Sequence, residues 1–119
     1  MYTRKLYDVL NLTSISNGDE EFVKSMIVLF LQNTPVQSKQ LVTACSEKDW
    51  EQVYFLAHKM KASINLVNIA DIKEEIKTIE INAKALQQLE NLPSQIQYVD
   101  EVVSNTAKQM KQDYHLQEN

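Results

Sequence analysis

Gly18 is the single glycine of the chain, and Pro35 and Pro93 are its only prolines. Tight turns draw on glycine and proline for backbone angles that other residues resist. A chain of 119 residues so poor in both is ill-suited to the many turns of an all-β domain. Apolar residues recur instead in steps of three and four, the spacing of helices that bury one face. No segment alternates with period two for long enough to make a strand.

Caps and periods divide the chain into helices. Asn17-Gly18-Asp19-Glu20 has a capping-box spacing, and Phe22, Val23, Met26, Ile27, Leu29 and Phe30 form a wide apolar arc after it. Thr34-Pro35-Val36-Gln37 reads as a second start, with a Thr cap, Pro at the first helical position and Gln three residues on. This helix is expected to run through Leu41, Ala44 and Cys45 to about Glu47. Asp49-Trp50-Glu51-Gln52 opens another. After Asn68, residues Ile69, Ile72, Ile76, Ile79, Ala83 and Leu86 form a core stripe. Asn91-Leu92-Pro93 breaks the chain before a last helix marked by Ile96, Val99, Val103, Met110 and Tyr114. The boundary near Asn65 to Asn68 carries neither glycine nor proline. The expected architecture is a single all-α domain over residues 1–119, with its core in about 5–115. It is an up-and-down antiparallel bundle of four helices with a short N-terminal helix and a flanking helix.

Composition narrows the function. The net charge of −4 lacks the basic footprint of a nucleic-acid binder. No apolar run reaches membrane-spanning length, and the N-terminal MYTRKLYDVL has no signal-peptide core. The one cysteine, Cys45, excludes an internal disulfide and reads as a small buried hydrophobe, so cytoplasmic residence is the expectation. The starting Met and polar tail fit a free-standing protein. Asn11-Leu12-Thr13 matches a glycosylation acceptor but means nothing without export.

The chemistry gathers in residues 55–67, FLAHKMKASINLV. At roughly 100° per residue, Val53, Leu56, Ala57, Met60, Ile64 and Val67 share one arc, and His58 lies roughly 150° from its centre. His58 is therefore expected to face solvent. Tyr54 and Phe55 precede it on that face, and Lys61, Ala62 and Asn65 follow it. Aromatic and small residues around an exposed imidazole suit a docking partner, with Tyr54, Phe55, Ala62 and Asn65 as its contacts. A neutral imidazole nitrogen is a nucleophile that can form covalent intermediates. Lys61, one turn along, is placed to stabilise negative charge on a phosphoryl group held there. Lys59 adds to the local positive field, and Ala62 leaves the imidazole accessible. His115, in the polar tail, has no such setting.

The stretch AHKMKASINLVNI resembles the signature of histidine-containing phosphotransfer (Hpt) domains, helical bundles with a phosphorylatable histidine. The upstream NGDEEFVKSMIVLFLQNTP and the following Asp49-Trp50 resemble their lead-in helices, so the similarity covers roughly residues 5 to 115. On this resemblance His58 matches the phosphoryl acceptor, Lys61 the assisting lysine and Ser63 the serine that follows. Ala62 departs from the frequent glycine, and Asn68 stands where many members end the helix with glycine; Asn is the next most tolerant of a left-handed backbone.

The resemblance implies a carrier in a two-component phosphorelay. His58 takes a phosphoryl group from a phospho-aspartate on a response-regulator receiver domain and passes it to another receiver. Receivers, and a hybrid sensor kinase, are the implied partners of a monomeric phosphoprotein. Magnesium belongs to the receiver, and the chain has no cofactor of its own. With Gly18 alone, it can have neither a P-loop nor a glycine-rich kinase lid, so no ATP-dependent kinase activity is expected. The phosphorylated hairpin of sensor kinases would need a glutamate just after the histidine and a proline further on; here Lys59 follows, and no proline comes before Pro93. The alternatives are a pseudo-phosphotransfer module that binds a receiver without transfer, and a plain helical adaptor.

Overall fold

The first long helix is set by a stripe that does not stop at its proline. Val23, Ile27, Phe30, Thr34, Ser38, Leu41 and Ala44 are all buried, at helical spacings on one face. In the computed structural model, which describes residues 4–116, they lie on one continuous helix of 27 residues, Glu20–Ser46. The expected start at Thr34-Pro35 is therefore corrected: Pro35 is inside this helix. Proline in a helix interior removes one backbone hydrogen bond and costs about 3 kcal/mol. Burying one large apolar side chain recovers ~1.5–3 kcal/mol, and the stripe continues on both sides, so packing wins over the local signal. Thr34 is buried, and among the described residues its hydroxyl has no hydrogen-bond partner.

The described residues order as α1 (Leu10–Ile15), α2 (Glu20–Ser46), α3 (Trp50–Leu66), α4 (Lys73–Ala85) and α5 (Leu92–Asp113), with 3-10 turns at Ala70–Ile72 and Leu89–Asn91. At 1.5 Å per residue α2 is about 40 Å long, which accounts for the 42 Å long axis of the molecule. Asp19, not Asn17, caps α2, accepting from the Glu21 and Phe22 amides at 3.0 and 3.2 Å. Asn17 and Gly18 form the left-handed turn before it, with φ of 56° and 86°. Asp49 caps α3 through the Gln52 amide at 3.2 Å. Asn68 ends the segment after α3 at φ 51°, the conformation its residue type tolerates. Pro93 sits in the first turn of α5, where it has no intrahelical bond to lose.

The four long helices close into a ring, with α2 and α4 each packed against both α3 and α5. This is an all-α bundle with four long helices and one short N-terminal helix; the separate flanking helix expected from Pro35 is the second half of α2. The core holds the arc expected for α3, Val53, Leu56, Ala57, Met60, Ile64 and Val67, against Ile72, Ile76, Ile79 and Ala83. Cys45 is buried as expected. Leu86 is not in the core: it adopts a left-handed conformation just past α4 and turns outward. Leu29, assigned to the apolar arc of α2, is half-exposed beside that arc. Ser38 and Lys39 both bind the buried Asp100 carboxylate at 2.8 Å, pinning the middle of α2 to α5.

Residues ahead of α1 strap the other end. The Leu6 amide donates to Gln109 Oε1 at 2.8 Å, the Tyr7 hydroxyl to Asp113 at 2.6 Å and the Asp8 amide to the Val67 carbonyl at 3.0 Å. Arg4 pairs with Asp71 and Lys5 with Asp113. Among the described residues no helix is long and apolar enough to cross a membrane.

Replacing Pro35 restores the missing bond to the Leu31 carbonyl while leaving the buried stripe intact. Pro35→Ala is therefore expected to raise stability by about 1–2 kcal/mol, the helix gain less the entropy that proline removes from the unfolded chain. Thermal melts followed by circular dichroism measure this. An unchanged or lower Tm contradicts a continuous α2.

Candidate functional site

The outward face of α3 is built from residues spaced three and four apart. Counting roughly 100° per residue from His58, Glu51, Tyr54, Phe55, Lys61, Ala62 and Asn65 all fall within roughly 60° of it. His58 is exposed, its side chain 58% accessible. Phe55, Ala62 and Asn65 are also exposed, while Tyr54 and Lys61 are partly covered. The residues expected at the site are thus on one face. Ser63 is not among them: it lines a small groove between α2 and α3 with Met26, Phe30 and Leu66.

Two neighbouring helices flank this face. On one side, α4 runs antiparallel to α3 and meets it in rungs. His58 faces Glu80, and one turn back along α3 and one turn on along α4, Tyr54 faces Lys84. On the other side α1 is tied down by Asn11, whose Nδ2 donates to the Asn65 carbonyl at 3.1 Å. Asn11, Ser14, Ile15, Ala62, Asn65 and Leu66 enclose a groove of about 370 Å3 there.

Glu80 is the residue that the sequence pattern concealed. It sits between Ile79 and Ile81 on α4, one turn past Ile76, and only 8% of it is accessible. One carboxylate oxygen, Oε2, lies 2.7 Å from His58 Nδ1, and the other, Oε1, 2.7 Å from the Lys61 ammonium. Burial alone pushes the Glu80 carboxyl up, but the hydrogen bonds and charges of Lys61 and His58 more than offset it. The group is held below the ordinary glutamate value of 4.5. An ionised carboxylate only accepts hydrogen bonds, so the proton in the His58 bond belongs to Nδ1. The lone pair of the neutral ring then lies on Nε2, which Glu80 does not hold. A glutamate at the edge of an isoleucine stripe was the available sequence signal, and it also fits an ordinary solvated position.

Tyr54 supports the imidazole from the other side. Its ring lies 6.0 Å from that of His58 at an interplanar angle of 28°, and 5.5 Å from that of Phe55. The Lys84 ammonium stands 5.2 Å from the Tyr54 ring centre. Trp50, Glu51, Tyr54, Phe55, Lys84 and Leu86 are among the residues lining a groove of about 340 Å3 beside the histidine. A larger groove of about 450 Å3, between α2 and the start of α3, includes no residue of this face. His115 lies two residues past the end of α5.

The arrangement presents a nucleophilic nitrogen with its opposite nitrogen fixed by a carboxylate, among Lys59, Lys61 and Lys84. Of these lysines, Lys61 is matched by Glu80 at 2.7 Å and Lys84 lies against the Tyr54 ring. Among the described residues no three His, Cys, Asp or Glu side chains are placed to hold a metal ion. No family model, curated protein or solved structure matches the chain.

The Glu80 geometry has a pH signature. Because its carboxyl is lowered in the folded protein, its contribution is complete above 4.5 and is lost as pH falls through the lower folded value. The Tm advantage of wild type over Glu80→Gln is expected to be largest above pH 4.5 and to shrink below it. Thermal melts across acid pH check this; an advantage that grows with acid contradicts the ionised bridge.

Proposed function

We propose that the chain is a histidine phosphotransfer protein, in which His58 accepts a phosphoryl group from a receiver-domain phospho-aspartate and yields it to another receiver. The observation that carries this reading is the solvent-exposed His58 with its Nδ1 bonded to the buried Glu80 carboxylate. The resemblance of residues 57–69 to Hpt domains supplies the donor class.

The step balances as a nucleophilic displacement at phosphorus. The Nε2 lone pair forms the N–P bond while the P–O bond to the aspartyl carboxylate breaks, its electron pair remaining on that carboxylate. Nδ1 keeps its proton, so positive charge develops on the ring and is met by Glu80 across the 2.7 Å bond. Return transfer reverses each change. Lys61, with its ammonium on Glu80, acts through that carboxylate by keeping it ionised. The magnesium and acidic residues of such a reaction belong to the receiver. Phe55, Ala62 and Asn65, exposed around the imidazole, are the contacts for it, with Tyr54 backing the ring. A single exposed site of this kind works as a monomeric carrier in the cytoplasm, the compartment where receivers reside.

The test incubates the protein with a panel of receiver domains phosphorylated by acetyl phosphate, with magnesium, and follows acid-labile label on this chain. Wild type and His115→Gln are expected to take up label, and His58→Gln none. A charge-assisted hydrogen bond is worth about 1.5–3 kcal/mol, and each 1.36 kcal/mol is a factor of about ten in rate. Glu80→Gln is therefore expected to slow uptake by about tenfold or more. Label on His58→Gln would overturn the assignment. Receiver binding with no transfer to wild type would make the chain a docking adaptor instead.

A further inference from the structure

Lys61 cannot by itself balance the charge of a phosphoryl group on His58. Its ammonium is already matched by Glu80 at 2.7 Å, so with a neutral imidazole the trio of His58, Glu80 and Lys61 carries no net charge. A phosphoryl dianion on a ring that has become cationic leaves the trio net negative. The other charged groups near this face are Glu51 and Lys59 on α3 and Lys77 and Lys84 on α4; Lys77, one turn before Glu80, is already paired with Glu74 at 3.8 Å. Glu51 has the wrong sign. Lys59 is roughly 100° round α3 from His58, on the side away from α4.

Lys84 is differently placed. It stands one turn beyond Glu80 on α4, with its ammonium over the Tyr54 ring that is stacked on His58. Among the described residues it meets no carboxylate; an aromatic face is its partner. A cation–π contact of this kind is worth about 0.5–1 kcal/mol at an exposed site, less than a charge-assisted hydrogen bond to an anion. The ammonium is thus held one aromatic ring away from His58, in a contact weak enough to give up.

We propose that Lys84 is the phosphoryl-binding cation of the site, leaving the Tyr54 ring to contact the oxygens of a phosphoryl group on His58 Nε2. This rests on the reading of His58 as phosphoryl acceptor, and it divides the labour of the two lysines. Lys61 holds Glu80 behind the ring, and Lys84 meets the phosphoryl group in front of it.

The test needs no receiver. Potassium phosphoramidate phosphorylates exposed imidazoles directly: the Nε2 lone pair takes the phosphorus, the P–N bond breaks, and ammonia leaves with a solvent proton. The second ionisation of the bound phosphoryl group is then followed by 31P NMR across pH in wild type, Lys84→Ala, Lys84→Arg, Lys59→Ala and Lys61→Ala. Circular dichroism confirms that each variant is folded. Loss of a nearby cation disfavours the dianion, so Lys84→Ala is expected to move the midpoint up by roughly half a unit or more. Lys84→Arg should restore it, and Lys59→Ala should leave it in place. A midpoint unchanged in Lys84→Ala, or one that moves in Lys61→Ala alone, overturns the assignment of Lys84 while leaving His58 as acceptor. Failure of wild type to form phosphohistidine at His58 overturns both.

Discussion

The carboxylate of Glu80 is the constraint around which the site is organised. It is nearly buried, and burial of a carboxylate is costly unless its charge is met. Lys61 and His58 meet it with one oxygen each at 2.7 Å. The consequence runs outward from the core: a satisfied, ionised Glu80 holds the proton on Nδ1, and that leaves Nε2 as the basic nitrogen of an exposed ring. The orientation of a surface histidine is thereby fixed by a group at the edge of the core.

That bridge depends on the pairing of α3 with α4. Antiparallel packing places residues one turn apart on each helix opposite each other, so His58 with Glu80 and Tyr54 with Lys84 form successive rungs. The register is held by the isoleucines beneath: Ile76, Ile79 and Ala83 of α4 are buried against Leu56, Ala57 and Met60 of α3. Slipping α4 by one residue would rotate Glu80 by roughly 100° away from the imidazole and expose the stripe. Core packing and site geometry are therefore one requirement.

Much of this was legible in the sequence. The arc of Val53, Leu56, Met60 and Ile64 placed His58 outward, because a 3.6-residue period is a property of one helix and needs no knowledge of its neighbours. The caps at Asp49 and the start of α5 at Pro93 were readable for the same reason. Pro35 misled because capping and proline signals are local, whereas the continuity of α2 is set by burial along its whole length. Glu80, Lys84 and the α1 flank were not read as part of the site because they reach it only through tertiary packing. Glu80 lies 22 residues from His58, and α1, with only six residues, is too short to show a period. The resemblance to Hpt domains drew attention to Lys61, and only the three-dimensional contacts show its ammonium on Glu80.

The most direct test of the central claim is the position of one proton. Two-bond 1H–15N correlation spectra of the imidazole side chains, recorded at about pH 8, above the ordinary imidazole titration near roughly 6.5, distinguish the two neutral tautomers. The account predicts that His58 carries its proton on Nδ1 and its lone pair on Nε2, and that Glu80→Gln loosens this preference. A wild-type spectrum with the proton of His58 on Nε2 would contradict the claim that Glu80 sets the tautomer of His58.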